Sequence, residues 1–176
     1  PRSTLFPYTT LFRSAKGIRL NAIGQLERLP DDTRAELERT MAATAQCDGL
    51  VLTLALSYGG RQEILQAARG LCAQAARGEL APETLDEAAF SARLYTADLP
   101  DPDLMIRTSG EQRISNFLLW QMAYAEFIFS PLMWPDFREA QLRAALVEYA
   151  SRQRRFGKTS QQVSATPKKA SGRARG

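Results

Sequence analysis

Two arginines and a serine on one short stretch are the residues of this chain best suited to chemistry. Arg107 ends an apolar segment, and Arg113 and Ser115 follow it within one polar loop. Guanidinium groups bind phosphate through paired hydrogen bonds and stay charged at neutral pH. Gly110 allows a sharp turn, and Asn116 is suited to hold the loop through hydrogen bonds to backbone. The pattern predicts either a site for a phosphate-like anion or ordinary ion pairs with nearby surface acids.

A single carboxylate, Glu126, lies within the mostly apolar segment from Phe117 to Trp134. A buried carboxylate without a partner costs free energy. Glu126 is therefore predicted either to bind Mg²⁺, which takes one or two carboxylates together with substrate phosphates, or to pair with a buried arginine. The segment is nearly long enough to span a membrane, but Gln121, Glu126 and Pro131 interrupt it, so we expect buried protein instead.

Two further patterns each have an ordinary and a functional interpretation. Residues 154–157 (RRFG) follow the last predicted helix, where cations either stabilise its negative end or form a second phosphate clamp. In the segment Leu50–Leu56, the smaller side chains Val51, Thr53 and Ala55 share one face. Such a face either lets a helix pack closely or lines a cavity for a long apolar ligand.

Composition excludes several classes of function. The chain has 176 residues and a hydrophobic content of 44%, which is typical of one folded domain. It contains no histidine and two cysteines, which rules out Ser–His and Cys–His catalytic pairs and a four-ligand zinc site. Cys47 and Cys72 are predicted to be buried thiols of a reduced cytosolic protein.

The net charge of +4 belongs to the two ends of the chain. Residues 1–16 and 158–176 contain basic side chains and no acidic ones, so the body between them is mildly acidic and no nucleic-acid partner is expected. Residues 1–14 lack helical or strand periodicity, repeat Thr-Leu-Phe and look like translated adapter sequence. We expect them to be a non-native leader, and residues 158–176 to be a disordered basic tail.

Strand and helix patterns alternate through residues 15–157. Apolar segments predict strands at 17–24, 50–56, 103–107 and within 123–129. Helical patterns run from Pro30 and over 61–77, 82–94 and 138–153. This order predicts an α/β fold, a parallel sheet flanked by helices, with ligands at the carboxyl ends of the strands.

The helical patterns also predict which side chains are buried. In the first helix, a spacing of four residues selects Leu37, Met41 and Ala45. In the second helix, the apolar side comprises Ile64, Leu65, Ala68, Leu71, Cys72, Ala75 and Ala76. Gly78 is predicted to end that helix, because glycine adopts the left-handed conformation that closes many helices.

The loop and its surroundings resemble the signature of a known enzyme family. Residues 103–121 (DLMIRTSGEQRISNFLLWQ) resemble the signature of the cis-prenyltransferases, the undecaprenyl diphosphate synthase family. The segments YGGR at 58–61, AYAE at 123–126, WPDF at 134–137 and RRFG at 154–157 occur in the order in which that family has them. The resemblance covers roughly residues 16–158.

The resemblance implies a fold and a reaction. The fold is a sheet flanked by helices with an apolar tunnel, and the face of residues 50–56 that carries the smaller side chains would form part of the tunnel wall. The enzyme would work as a homodimer with Mg²⁺. The reaction adds isopentenyl diphosphate repeatedly to an allylic diphosphate such as farnesyl diphosphate, giving a polyprenyl diphosphate carrier lipid. A cytoplasmic location is expected, and the lipid product suggests peripheral contact with the inner face of the membrane.

The resemblance also implies roles for individual residues. Arg107, Arg113 and Ser115 would hold the diphosphate of isopentenyl diphosphate, and Glu126 would bind Mg²⁺ near that site. In the same way, the family's Arg-x-Gly element, which reaches across the dimer toward the partner's substrate, corresponds to Arg155 and Gly157.

Three departures from the family pattern bear on activity. Ser57 stands where family members commonly have Asn before Tyr-Gly-Gly, and Gln112 stands where many have His, although glutamine carries no proton at neutral pH. The family's Asp-Gly-Asn-Gly-Arg-Trp motif, with its essential Mg²⁺-binding Asp, has no counterpart, so no catalytic residue is assigned. We expect an N-terminally truncated enzyme that is inactive alone. The alternative is a non-catalytic partner subunit of a heteromeric cis-prenyltransferase.

Overall fold

The structure is a computed structural model that describes residues 17–152. It contains β1 (Arg19–Ile23), α1 (Asp31–Thr44), β2 (Val51–Ala55), α2 (Gly60–Ala76), α3 (Glu87–Ser91), β3 (Leu104–Arg107), β4 (Glu126–Phe129) and α4 (Glu139–Ser151). These elements belong to two compact units, the first made of 17–101 with 114–121 and the second of 102–113 with 122–152. The predicted leader and tail lie outside the described residues.

The first unit is built on the parallel pair of β1 and β2. The two strands are in register from Arg19 opposite Val51 to Ile23 opposite Ala55. In β2, residues 51–54 are half-buried and Ala55 is exposed. The apolar tunnel that the sequence assigned to one face of this strand stays a prediction.

Helix α1 covers β1 with a face that differs from the predicted one. Leu37 is buried as predicted, but Met41 is only half-buried and Ala45 is exposed just beyond the helix. The buried positions are instead Thr40 and Thr44. The Thr44 hydroxyl donates to the carbonyl of Thr40 at 3.0 Å and accepts the backbone N–H of β1 at Leu20, also at 3.0 Å. Satisfied threonines can be buried without penalty, which hydropathy spacing does not reveal.

The buried face of helix α2 agrees only in part with the predicted one, since Leu71 is buried as predicted. Its buried residues are Gly60, Glu63, Ala67 and Leu71, spaced three and four apart as one helix face requires. Leu65 is 50% exposed, and Cys72 is exposed rather than buried. The cause is Glu63, whose carboxylate is buried among hydrogen-bond donors described below, so a polar residue occupies the centre of the packed face. Cys47 is half-buried, and both thiols are free.

The second unit contains the parallel pair of β3 and β4. Leu104 lies opposite Glu126 and Arg107 opposite Phe129. Within residues 17–152 the strands therefore form two two-stranded parallel sheets, where the sequence predicted one sheet. The predicted α/β class, with parallel strands and flanking helices, is confirmed.

Two segments differ from their predicted form. The helix expected over 82–94 is a 3-10 turn at Pro82–Thr84 followed by the short α3. The side chain of Asp86 starts α3 by accepting the N–H of Ala89 at 2.8 Å, so the two pieces remain separate. Among the described residues, no helix is long and apolar enough to cross a membrane.

Candidate functional site

The loop after β3 turns sharply, as the sequence predicted. Arg107 is half-buried at the carboxyl end of the strand, and its carbonyl accepts the N–H of Ser130 at 2.7 Å. Ser109 and Gly110 follow, both with φ of +67°. Their backbone N–H groups donate to the carbonyls of Leu132 and Ser130 at 2.6 and 3.0 Å. The segment after β4 therefore fixes the turn that follows Arg107.

Arg113 belongs to the same unit as Arg107 and lies on the surface. Its side chain is 70% exposed and forms an ion pair with Glu111. This is the surface pairing that the sequence left open as an alternative to an anion site. Because an exposed pair contributes at most about 1 kcal/mol, it opposes the binding of a diphosphate only weakly.

Ser115 and Asn116 belong to the first unit, where they contact the start of α2. Both have left-handed backbone conformations, with φ of +50° and +62°. The carbonyl of Asn116 accepts the N–H of Gly60 at 2.7 Å, and its Oδ1 accepts the N–H of Arg61 at 2.9 Å. The role predicted for Asn116, holding the loop through hydrogen bonds to backbone, is confirmed. These bonds join two of the motifs noted in the sequence, residues 58–61 and 103–121.

A buried carboxylate that the sequence reasoning missed organises this region. Glu63 is only 2% exposed. Its Oε2 accepts the hydroxyl of Tyr58 at 2.5 Å and the side-chain amide of Gln121 at 3.1 Å, and its Oε1 accepts the backbone N–H of Tyr95 at 2.8 Å. Burial, together with the hydrogen bond to Glu63, raises the pKa of Tyr58, so this hydroxyl stays a donor at neutral pH. The available signal was the spacing of Gly60, Glu63 and Ala67 on one helix face.

A polar pocket of about 330 Å³ opens beside this network at the carboxyl end of β2. Its walls include Arg28, Ser57, Tyr58, Tyr95 and Asn116. The position matches the expectation that ligands bind where parallel strands end. The lining offers one guanidinium and several hydroxyl or amide groups, which suits a polar ligand better than an apolar chain.

Glu126 is engaged in the second unit by an arginine. Its Oε2 lies 2.9 Å from Nη1 of Arg152, which also donates to the carbonyl of Phe127 at 3.0 Å. The pKa of Arg152 is raised by its hydrogen bonds to Glu148 and Glu126. Glu126 begins β4, whereas Arg107 ends the neighbouring β3, three register positions away. That spacing corresponds to about 10 Å along a strand.

A magnesium site is not complete within the described residues. Residues 17–152 contain no group of three or more His, Cys, Asp or Glu side chains that could hold a metal ion. Glu126 supplies one carboxylate, and that carboxylate is paired. Mg²⁺ binds through one or two carboxylates plus phosphate oxygens and waters, so Glu126 fits it only as one ligand among several brought by a bound diphosphate. Arg155 and Gly157 lie outside the described residues.

Comparison with known proteins identifies the family. The family model described as "Putative undecaprenyl diphosphate synthase" matches residues 7–157. The chain belongs to this cis-prenyltransferase family. It is 53% identical over 146 residues to the isoprenyl transferase of Chlorobaculum tepidum, covering 83% of this chain and 55% of that protein. It is 50% identical over 149 residues to the ditrans,polycis-undecaprenyl-diphosphate synthase ((2E,6E)-farnesyl-diphosphate specific) of Pseudomonas aeruginosa, covering 85% of this chain and 59% of that protein.

A solved structure gives the same assignment. Lavandulyl diphosphate synthase from Lavandula x intermedia, in complex with dimethylallyl diphosphate, is similar with a TM-score of 0.83 and 39% identity. The match covers 86% of this chain and 66% of that one. The chain spans little more than half the length of the curated relatives it matches. The predicted enzyme class, a prenyltransferase, is confirmed at the level of the family.

Proposed function

We propose that this cis-prenyltransferase chain carries the isopentenyl diphosphate site of its enzyme. Arg107, Arg113 and Ser115 hold the diphosphate, and the whole enzyme condenses isopentenyl diphosphate onto an allylic diphosphate such as farnesyl diphosphate to make a polyprenyl diphosphate carrier lipid. The observation that carries the proposal is the family match across residues 7–157, which contains all three residues. The ordered turn after Arg107 supports it.

The chemistry of the reaction suits these side chains. Diphosphate leaves the allylic substrate, whereas the diphosphate of isopentenyl diphosphate is retained in the product. The retained group needs an anchor that stays charged at neutral pH, which guanidinium groups provide. The alkene of isopentenyl diphosphate must be held in line with the allylic carbon, so a diphosphate anchor contributes through orientation. Mg²⁺, when bound with the diphosphate, supplies additional charge stabilisation. An apolar tunnel that excludes water would protect the allyl cation.

The chain is proposed to have no turnover alone, because the Asp-Gly-Asn-Gly-Arg motif is absent from its sequence. In this proposal the enzyme is a homodimer in the cytoplasm, with peripheral contact at the membrane, and Arg155 and Gly157 reach the partner's substrate. The second candidate is a non-catalytic partner subunit. The surface pair of Arg113 with Glu111 is the observation on its side, because a partner subunit needs no substrate anion at this loop. Retention of Arg107, Arg113 and Ser115 argues against it, because a pure partner need not keep a substrate site.

Binding of isopentenyl diphosphate separates the two candidates. Calorimetric titration of the 176-residue chain should show binding, and Arg113→Ala should weaken it by about 1.5–3 kcal/mol, the range for a hydrogen bond to a charged group. Arg143→Ala is the matched control, since Arg143 is similarly exposed in the same unit and pairs with Glu139 at 2.7 Å. Binding that is absent from the unmodified chain, or unaffected by Arg113→Ala, favours the partner subunit.

The role of Glu126 is tested through the effect of Mg²⁺ on the same titration. Mg²⁺ should strengthen binding of isopentenyl diphosphate to the unmodified chain. Glu126→Gln should reduce that Mg²⁺-dependent gain in affinity about tenfold, because the variant lacks the carboxylate that supports the bound metal. The affinity for isopentenyl diphosphate measured in EDTA should be unchanged. Glu148→Gln is the control because Glu148 also pairs with Arg152, at 2.5 Å, without being a proposed ligand. Equal effects of the two variants would assign Glu126 a structural role only.

A further inference from the structure

The segment from Ser115 to Leu118 adopts a backbone conformation that its residues do not favour. Ser115, Asn116 and Leu118 have φ of +50°, +62° and +43°. Such values are uncommon outside glycine, and asparagine tolerates them better than serine or leucine. Conformations of this kind persist only where surrounding contacts impose them, and they occur often at ligand sites. The contacts that impose the left-handed conformations within residues 115–118 therefore bear on a ligand site.

Those contacts come largely from the side chain and the backbone carbonyl of Asn116. In addition to the two bonds to Gly60 and Arg61, Nδ2 of Asn116 donates to Oε1 of Gln62 at 3.1 Å. Asn116 thus bonds to three successive residues in the first turn of α2. The two accepted bonds satisfy N–H groups that a helix cannot satisfy internally.

Gly59 and Gly60, at the start of α2, make this approach possible. A Cβ at Gly59 would lie 2.7 Å from Nδ2 of Asn116, and a Cβ at Gly60 would lie 3.2 Å from the Asn116 carbonyl oxygen. A larger residue at Gly59 would displace the side-chain amide of Asn116, and one at Gly60 would crowd Leu119 as well as the Asn116 carbonyl. The two glycines of the Tyr-Gly-Gly-Arg motif therefore leave the space in which Asn116 packs against the start of α2.

We infer that Asn116 is a positioning residue for the diphosphate site: by capping α2 it fixes the left-handed conformation of Ser115 and so aims the Ser115 hydroxyl. The inference rests on the proposed function, in which Ser115 binds the diphosphate. Asn116 itself touches helix backbone and Gln62. Its effect on the substrate passes through Ser115.

The test is a double-mutant cycle with isopentenyl diphosphate titrated into the 176-residue chain. Ser115→Ala should weaken binding about 10- to 100-fold, because it removes a hydrogen bond to the diphosphate. Asn116→Ala should weaken binding about tenfold, because it removes both side-chain bonds to α2 that hold Ser115 in place. The double variant should bind no more weakly than Ser115→Ala alone, because Asn116 acts through the missing hydroxyl. Losses that simply multiply would overturn the inference.

Three further variants separate positioning from stability. Asn116→Asp keeps an acceptor for the Arg61 N–H and should restore binding to within about threefold, since aspartate also tolerates positive φ. Asn116→Gly adopts positive φ freely, so it remains folded, and it should bind as weakly as Asn116→Ala. Thr44→Val removes the acceptor of the Leu20 N–H in the same unit and should lower the unfolding temperature without weakening binding. An equal loss of binding in Thr44→Val, or no loss in Asn116→Gly, would overturn the inference, whereas an unmodified chain that does not bind overturns the proposed function as well.

Discussion

Replacing Glu63 by alanine is expected to lower the free energy of unfolding by about 3–5 kcal/mol, a large share of the stability of a small protein. The substitution removes the acceptor of three donors at once, the hydroxyl of Tyr58, the backbone N–H of Tyr95 and the side-chain amide of Gln121. Each buried donor left without a partner costs about 1–3 kcal/mol. The sum is reduced because water can enter the space left by the side chain.

Urea denaturation followed by circular dichroism measures this loss. Glu63→Gln retains one acceptor and places an amide donor against existing donors. Its free energy of unfolding should therefore lie between those of the wild type and of Glu63→Ala. Glu83→Ala is the matched control, because Glu83 is exposed in the turn at 82–84 and should change stability by less than about 0.5 kcal/mol. A Glu63→Ala protein as stable as the Glu83→Ala protein would contradict the network described here.

The Glu63 network also connects the strand ends to the loop that carries Ser115. Tyr58 packs edge-on against Tyr95 and Phe117, with ring centroids 6.3 and 5.8 Å apart. Gln121 donates to Thr96 as well, at 2.9 Å. Loss of Glu63 should therefore loosen the whole junction between α2 and residues 114–121, and with it the proposed anion site.

The sequence predicted the elements of the fold where the signal is local. The alternation in β1, the apolar segments of β2 and β3, and Gly78, which ends α2 with φ of +71°, are readable from neighbouring residues alone. The buried faces of α1 and α2 were not, because Thr44 and Glu63 are buried through partners distant in the chain. Leu20 is 24 residues from Thr44, and Gln121 is 58 residues from Glu63.

In the candidate site, too, the sequence predicted the local features but not those that depend on distant partners. The turn after Arg107 and the role of Asn116 followed from residue types in one loop. The sequence left a ligand site or an ion pair open for Arg113 and for Glu126, and the structure shows an ion pair for each. Arg113 pairs with Glu111, and Glu126 pairs with Arg152, although this second pair is half-buried rather than buried as the sequence predicted. The partner of Glu126 is 26 residues away, so local spacing could not have selected it.

Replacing Gly24 by alanine should destabilise the first unit as severely as the loss of Glu63. Gly24 follows β1 with φ of +110°, where side chains are strained. A Cβ built there would lie 2.1 Å from the carbonyl oxygen of Leu56 and 3.2 Å from the Cβ of Tyr58. Backbone strain of about 1–3 kcal/mol and overpacking of about 1–3 kcal/mol give an expected loss of about 2–6 kcal/mol.

Two other glycines separate these contributions in the same urea measurement. Gly78 has φ of +71° with nothing within 4 Å of its built Cβ, so Gly78→Ala should cost only the conformational part, about 1–2 kcal/mol. Gly70 lies within α2, also with open space, and Gly70→Ala should stabilise the protein by about 0.5–1 kcal/mol. Equal losses at Gly24 and Gly78 would mean that the strands separate easily after residue 23. A larger loss at Gly24 would show that the close approach of the chain after β1 to Leu56 and Tyr58, just beyond β2, resists separation.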